Sequence, residues 1–165
     1  MTVRLEPLST DYFGQLHHLF DAVCREKRFL AFTHAGPREK TFSFYQGIVD
    51  RSETHFVAVE DEIVVGWCDV LRQVAQVRQH IGTLGMAVAP SHRGRGVGRA
   101  LIDKAIEHAS NRGLTRIELT VHSENVVAQS LYASVGFRLE GTQRNAWLMD
   151  GAYSDVLAMA RLRQR

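Results

Sequence analysis

Apolar positions in this chain follow two periods, and the switches between them mark out the elements. Apolar residues run almost without interruption over Thr54–Glu60 and Ile63–Leu71, broken only by Asp61-Glu62, which predicts two buried strands joined as a hairpin. A short alternation at Val3–Leu5 predicts an earlier strand. From Ser9 or Thr10, either of which can cap a helix, Phe13, Leu16, Leu19, Phe20 and Val23 recur at helical spacing to about Lys27. Gly36-Pro37 opens a second helix, with proline in its first turn, carrying Phe42, Phe44, Tyr45, Ile48 and Val49. Ile81–Ala89 predicts a strand closed by Pro90, and Val97–Asn111 a helix stopped at Arg112-Gly113. Thr115–Val121 follows as a strand and Asn125–Ser134 as a helix stopped at Gly136. Gln143–Met149 and Tyr153–Arg161 flank Asp150-Gly151, a strong hairpin-turn dipeptide.

The order is therefore βααβββαβαββ, with no repeat of about 20–50 residues and no low-complexity linker. It predicts an α/β (α+β) fold in which one mixed sheet carries helices on both faces. The 165 residues form one domain's worth of chain, so residues 1–165 are expected to be a single unit. With 45% apolar and 23% charged residues, disordered and fibrous classes are excluded. No apolar run approaches the roughly 18 residues of a membrane span. Met1–Leu8 lacks the basic start and apolar stretch of a signal peptide, so a cytoplasmic protein is expected. Cys24 and Cys68 make neither a disulfide framework nor a zinc site, and each reads as a small buried hydrophobe. The histidines show no metal-ligand spacing, so no metal is expected.

A net charge of +2 says little by itself and argues against a nucleic-acid partner. Its local distribution says more. His92–Arg99 holds three arginines and three glycines in eight residues with no acid among them, while Arg161–Arg165 reads as a frayed, solvated basic end. The glycine-rich stretch joins an apolar strand to an amphipathic helix. Unpaired N–H groups at a helix N-terminus attract anions, glycine lets the main chain approach a phosphate, and arginine pairs with it. A phosphate-bearing ligand, most naturally a pyrophosphate, is implied. A dinucleotide-binding loop does not fit, since its third glycine position falls on Arg99 and the loop follows the fourth strand. A phosphate loop of the Gly-Lys type does not fit either, for the chain has no Gly-Lys pair. What remains is Arg-x-x-Gly-x-Gly, met by Arg93, Gly96 and Gly98, against the plain alternative of a tight turn with solvated arginines.

Arg-x-x-Gly-x-Gly after a strand ending in Val-x-Pro resembles the acyl-CoA signature of the GNAT (GCN5-related) N-acetyltransferase superfamily. A second signature of that family, N-x-x-A-x-x-L-Y-x-x-x-G-F, is matched by Asn125–Phe137. The predicted element order is similar to that family's along nearly the whole chain. The ending Asp150–Asp155, followed by an apolar strand, resembles the branch acting on amino acids and small amines. The resemblance implies a mostly antiparallel mixed sheet with acetyl-CoA as cosubstrate. It assigns Arg93, Gly94, Arg95, Gly96, Val97 and Gly98 to the CoA pyrophosphate, and Arg99 adds charge that the phosphate can pair with. It further assigns the strand backbone of Met86, Ala87 and Val88 to the pantetheine arm, whose amides an open strand edge can pair. Tyr132 would be general acid to the leaving thiolate, where the residue alone reads as a core aromatic with a wet hydroxyl. Asn125, by default a helix N-cap, would also touch the cofactor.

An attacking amine must lose a proton, so a base is needed. Arg116, Glu118, Thr120 and His122 share one face of their strand. Glu118 is the first candidate and His80 the second, beside relay to water and the plain reading that Glu118 pairs with an arginine. Gly82 and Gly85 fit either a close approach or a packing accommodation. Acceptor specificity is expected in the first two helices and the loop between them, where Glu26, Arg28, Phe29 and Phe32 fall, with Glu26 available to an amine, Arg28 to a carboxylate, and Tyr153 at the far end. The expected function is transfer of an acetyl group to a primary amine of an amino acid or other small molecule. A non-catalytic acyl-CoA-binding or sensing domain is the alternative, and a homodimer is left open.

Overall fold

The computed structural model of the chain describes residues 2–163. One seven-stranded sheet runs through it: β1 (Arg4–Pro7), β2 (Thr54–Glu60), β3 (Ile63–Arg72), β4 (Ile81–Val88), β5 (Arg116–His122), β6 (Arg138–Met149) and β7 (Ala152–Leu162). The strand order is β1-β2-β3-β4-β5-β7-β6. Every neighbouring pair is antiparallel except β4 and β5, which run parallel because the helix α3 (Val97–Asn111) carries the chain back between them.

Helices cover both faces, as the hydrophobic pattern predicts. On one face α1 (Phe13–Arg25) and α2 (Arg38–Asp50) bury Phe13, Leu16, Leu19, Val23, Tyr45 and Ile48 against Val57, Val59, Val64 and Trp67. On the other face α3 buries Leu101, Ile102, Ala105 and Ala109, and α4 (Val126–Ser134) buries Tyr132, against Phe56, Cys68, Val70, Ile117 and Leu119. β2 lies between β1 and β3 with both faces covered, so all seven of its residues are buried.

Element boundaries depart from the sequence reading where local chemistry outweighs periodicity. The first helix begins as a 3₁₀ turn over Thr10–Tyr12, and Ser9 makes no capping side-chain bond. Pro37 stands just before α2 in an extended conformation, outside the first turn. β6 extends back to Arg138, well before Gln143, because an exposed edge strand with a bulge at Asn145 shows no apolar alternation. The C-terminal basic run is not a frayed end as far as it is described. Arg161 and Leu162 belong to β7, Arg161 Nε donates to the Val135 carbonyl at 3.0 Å, and the Arg163 N–H donates to the Thr115 carbonyl at 2.8 Å. Gln164 and Arg165 lie outside the described residues.

Candidate active site

β4 and β5 share only three rungs, Ile81–Arg116, Gly82–Ile117 and Thr83–Glu118. Beyond them β4 continues paired with β3 alone and β5 with β7 alone. A wedge therefore opens at the carboxyl ends of two parallel strands, the place where open α/β sheets take ligands. The Ala89 N–H donates to the Val65 carbonyl at 2.8 Å. By strand alternation the N–H and C=O of Met86 and Val88 then face the wedge, whereas those of Ala87 face β3. Only two of the three residues expected to meet a pantetheine arm offer it main-chain groups.

Two helices begin at the mouth of the wedge. Ahead of α3, Gly94 and Gly96 have φ of +72° and +82°, a region that glycine enters without strain. No side chain caps α3, and its first main-chain bond runs from the Ala100 N–H to the Gly96 carbonyl. The N–H groups of Val97, Gly98 and Arg99 thus lack partners within the helix and form an anion-binding end. At Gly98 a Cβ would stand 3.4 Å from Met86 Cε and 3.5 Å from Leu131 Cδ2, which locks α3 against both β4 and α4. At the start of α4, Asn125 Oδ1 accepts from the Ala128 N–H at 3.2 Å, the N-cap expected of it.

The three arginines are engaged by carboxylates. Arg93 makes a bidentate pair with Glu26 at 2.7 and 2.9 Å, and its Nε donates to the Val88 carbonyl at 2.9 Å. Glu26, expected to meet an amine, thereby ties the end of α1 to the glycine-rich loop. Arg95 pairs with Glu60 at 2.9 Å, and His92 with the same carboxylate at 2.7 Å. Together they hold the Glu60 carboxyl below its usual range, His92 contributing most. Arg99 pairs with Asp103 one turn along α3.

Tyr132 lies across the wedge on the α3/α4 face, its ring 5.8 Å from that of Phe137. Burial pushes its phenol well up, with the Cys68 thiol adding to the shift, so at neutral pH it carries its proton. Among the described residues its hydroxyl has no hydrogen-bond partner. The two base candidates are placed differently. Glu118 stands at the last rung of the seam and accepts from Arg78 at 2.8 Å, Arg116 at 3.0 Å and Gln73 at 3.2 Å. This is the arginine-paired arrangement. His80 is exposed at the opposite, closed end of the seam, where its carbonyl accepts from the Thr115 N–H.

On the α1/α2 side a cavity of about 340 Å³ opens beside the wedge. Lys27, Arg28 and Phe29 line it from the α1–α2 connection, His122 and Asn125 from the strand end and the start of α4, and Trp147 and Tyr153 from the β6–β7 hairpin. Lys27 Nζ bonds Asp150 at 3.0 Å and ties that connection to the hairpin turn. The guanidinium groups of Arg28 and Arg93 stand over the Phe29 ring, 5.1 and 4.8 Å from its centre. Arg28, Phe29, Asn125 and Tyr153 are thus brought together, Glu26 joins them through Arg93, and Phe32 stays 62% exposed.

Sequence reading passed over Asp69 and His55. Both sit inside apolar strand segments, and their register partners decide their burial. Burial lifts the Asp69 carboxyl to about 7, opposed by a bond from the Gly85 N–H, and lowers His55 to about 3. Their 3.8 Å separation is too long for a hydrogen bond, and His55 is neutral, so they form no ion pair near pH 7.

Residues 17–137 match the Acetyltransferase (GNAT) family. The L-amino acid N-acetyltransferase AaaT of Escherichia coli is 37% identical over 108 residues, 65% of this chain and 67% of that one. The [ribosomal protein bS18]-alanine N-acetyltransferase of Escherichia coli is 30% identical over 129 residues, 77% of this chain and 82% of that one. Among solved structures, yncA of Salmonella typhimurium, a putative acetyltransferase with its cofactor acetyl-CoA, superposes with a TM-score of 0.93. It is 15% identical and covers 100% of this chain and 96% of that one. The class that fold and wedge define is the N-acetyltransferases. The chain belongs to the GNAT family.

Proposed function

We propose that this N-acetyltransferase moves the acetyl group of acetyl-CoA to the primary amine of an amino acid or another small molecule, with residues 1–165 acting as one unit. The wedge carries the reading. It offers main-chain donors at Met86 and Val88 and a free acceptor at Met86, two helix N-termini at its mouth, and an acceptor cavity on the other side. In this reading Arg93–Arg99 and the first turn of α3 hold the pyrophosphate, with Arg93 exchanging part of its pairing to Glu26 for it. The N–H groups at the strand edge pair with the pantetheine amides, and one of them polarises the thioester carbonyl. The amine nitrogen forms its bond to the carbonyl carbon as the C–S bond breaks, and Tyr132 gives its proton to the departing sulfur. Arg28 faces the acceptor cavity with no carboxylate partner among the described residues, which favours an acceptor bearing a carboxylate. The names of the two Escherichia coli relatives, referring to an L-amino acid and to an alanine, support the same class.

Release of CoA thiol is the test, with amino acids, polyamines, aminoglycosides and peptide N-termini as acceptors. Amino acids should release thiol fastest, and no release with any acceptor overturns the reading. Tyr132→Phe should lower kcat about 100-fold, the usual scale for losing a general acid, while acetyl-CoA affinity changes little. An unchanged kcat removes the acid role.

A further inference from the structure

A carboxyl group on β3 stands at the rim of the wedge with no charged partner among the described residues. Alternation sends Cys68 and Val70 into the core under α3, so Asp69 between them faces the α1/α2 side of the sheet. Its rung partners are His55 on β2 and Gly85 on β4. On the β2 side the carboxyl meets a side chain only 3% exposed. On the β4 side it meets a residue with no side chain at all. A Cβ on Gly85 would stand 3.4 and 3.6 Å from the two carboxylate oxygens, so the carboxylate lies over the Gly85 main chain. Gly85 is past the last rung with β5, so the open wedge begins beside it. The Asp69 side chain keeps 18% of its surface exposed, although Cys68 and Val70 on either side of it keep none. Tyr132 approaches the same stretch of β3 from the opposite face, near Cys68.

We propose that Asp69 is the general base of the reaction, taking a proton from the acceptor ammonium as it is seated over Gly85. This rests on the acetyl-transfer reading above. The N–H bond of the ammonium breaks, its electron pair stays on nitrogen, and the proton passes to Asp69 Oδ, which later releases it to water. The second nitrogen proton, lost as the adduct collapses to the amide, replaces the one that Tyr132 gives to sulfur. Acid and base then stand on opposite faces of the sheet with the thioester between them. The amine enters from the α1/α2 side, and Tyr132 serves the sulfur from the α3/α4 side. The substrate ammonium supplies the cation that Asp69 lacks, and Glu118, already satisfied by Arg78, Arg116 and Gln73, is left a structural role.

The titratable groups facing Asp69 are His55 from β2 and Tyr45 from α2; Cys24 of α1 stands by Tyr45, Cys68 beside Asp69 on β3 turns to the other face, and Glu118 lies on the same sheet face beyond β4. His55 is neutral, and burial pushes both Tyr45 and Cys24 up, so none of these three ionises between pH 6 and 9. Burial that lifts the Asp69 carboxyl to about 7 suits a base working near neutrality.

Asp69→Asn keeps the shape of the side chain but cannot take a proton. With an amino acid that supports turnover, its kcat/KM at pH 7 should fall at least 100-fold, while acetyl-CoA binding by calorimetry stays within about 3-fold. The pH profile separates this role from a structural one. In the wild type, log kcat/KM should level off above about pH 7.5, because the ammonium form is the substrate. In Asp69→Asn it should climb with unit slope toward the amine's own pKa, so the deficit shrinks with pH. A wild-type profile that itself climbs with unit slope through pH 7 to the amine pKa overturns the proposal, whatever the folding of the variant. So does a variant within 3-fold of wild type at pH 7, or a deficit constant across pH. No thiol release by the wild-type protein with any amine overturns the acetyl-transfer reading itself, and the proposal with it.

Discussion

Asp69 and His55 face each other across β3 and β2, and burial moves their proton equilibria in opposite directions. His55, lowered to about 3, contributes stability that is present above its ordinary value near 6.5 and is lost as pH falls toward 3. Asp69, raised to about 7, holds its proton longer in the folded state than in the unfolded chain. Its contribution is present below its ordinary value of 3.8 and is lost as pH rises through 7. Between about pH 4 and 6.5 the two slopes oppose each other, so the pair contributes little net pH dependence. Asp69→Asn removes one slope. Urea unfolding of the variant should show stability rising from pH 4 to 6.5, and at pH 8 it should exceed wild type by on the order of 2–4 kcal/mol. Equal midpoints at pH 8 would sink this account. Neither residue stands out in the sequence, since a polar side chain within an apolar strand acquires its environment from register with strands far along the chain. Asn125 and Tyr132 were legible for the converse reason: the motif that carries them is local, and the helix it builds fixes their direction. The Glu26 partner of Arg93 is 67 residues away and had no such signal.

Among the elements, β4 shows what a glycine in a strand is for. The sequence left Gly82 and Gly85 open between close approach and packing, and the structure separates them. A Cβ at Gly82 would meet Val70 Cγ1 at 2.4 Å and Leu114 Cδ1 at 2.7 Å, both on buried side chains, so this glycine is demanded by the core. Gly82→Ala should cost about 1–3 kcal/mol by overpacking. Gly141→Ala, at an edge-strand site where nothing lies within 4 Å of the added carbon, should stay within about 0.5 kcal/mol. Urea midpoints of the two variants check this, and equal losses would refute the packing argument. β2, β3 and α3 were legible because burial on a full face writes a strong period. The first half of β6 was not, because Arg138–Gln143 is an exposed edge held by main-chain bonds to β7, which leave no mark on side-chain pattern.

For the molecule as a whole, the wedge that makes a site also makes a seam. Four strands, β1 to β4, stand on one side and three, β5, β7 and β6, on the other, joined in the sheet by three rungs alone. The remaining coupling comes from side chains such as Tyr132 and Phe137, which belong to the core under α3. A ligand that pairs with β4 and sits at the N-termini of α3 and α4 touches both halves, so its binding energy adds to the seam as well as to the site. Acetyl-CoA at 100 times its dissociation constant should stabilise the fold by about 2.7 kcal/mol. For a chain of this size that is a rise in melting temperature of about 5–10 °C. Hydrogen exchange should slow on both sides of the seam: at the Met86 and Val88 amides, which face the wedge, and at the first turns of α3 and α4. Protection confined to α3 would mean that the ligand grips the glycine-rich loop by its phosphates without closing the seam. In that event the pairing assigned to β4 would fall, while the anion site at Gly96–Arg99 would stand.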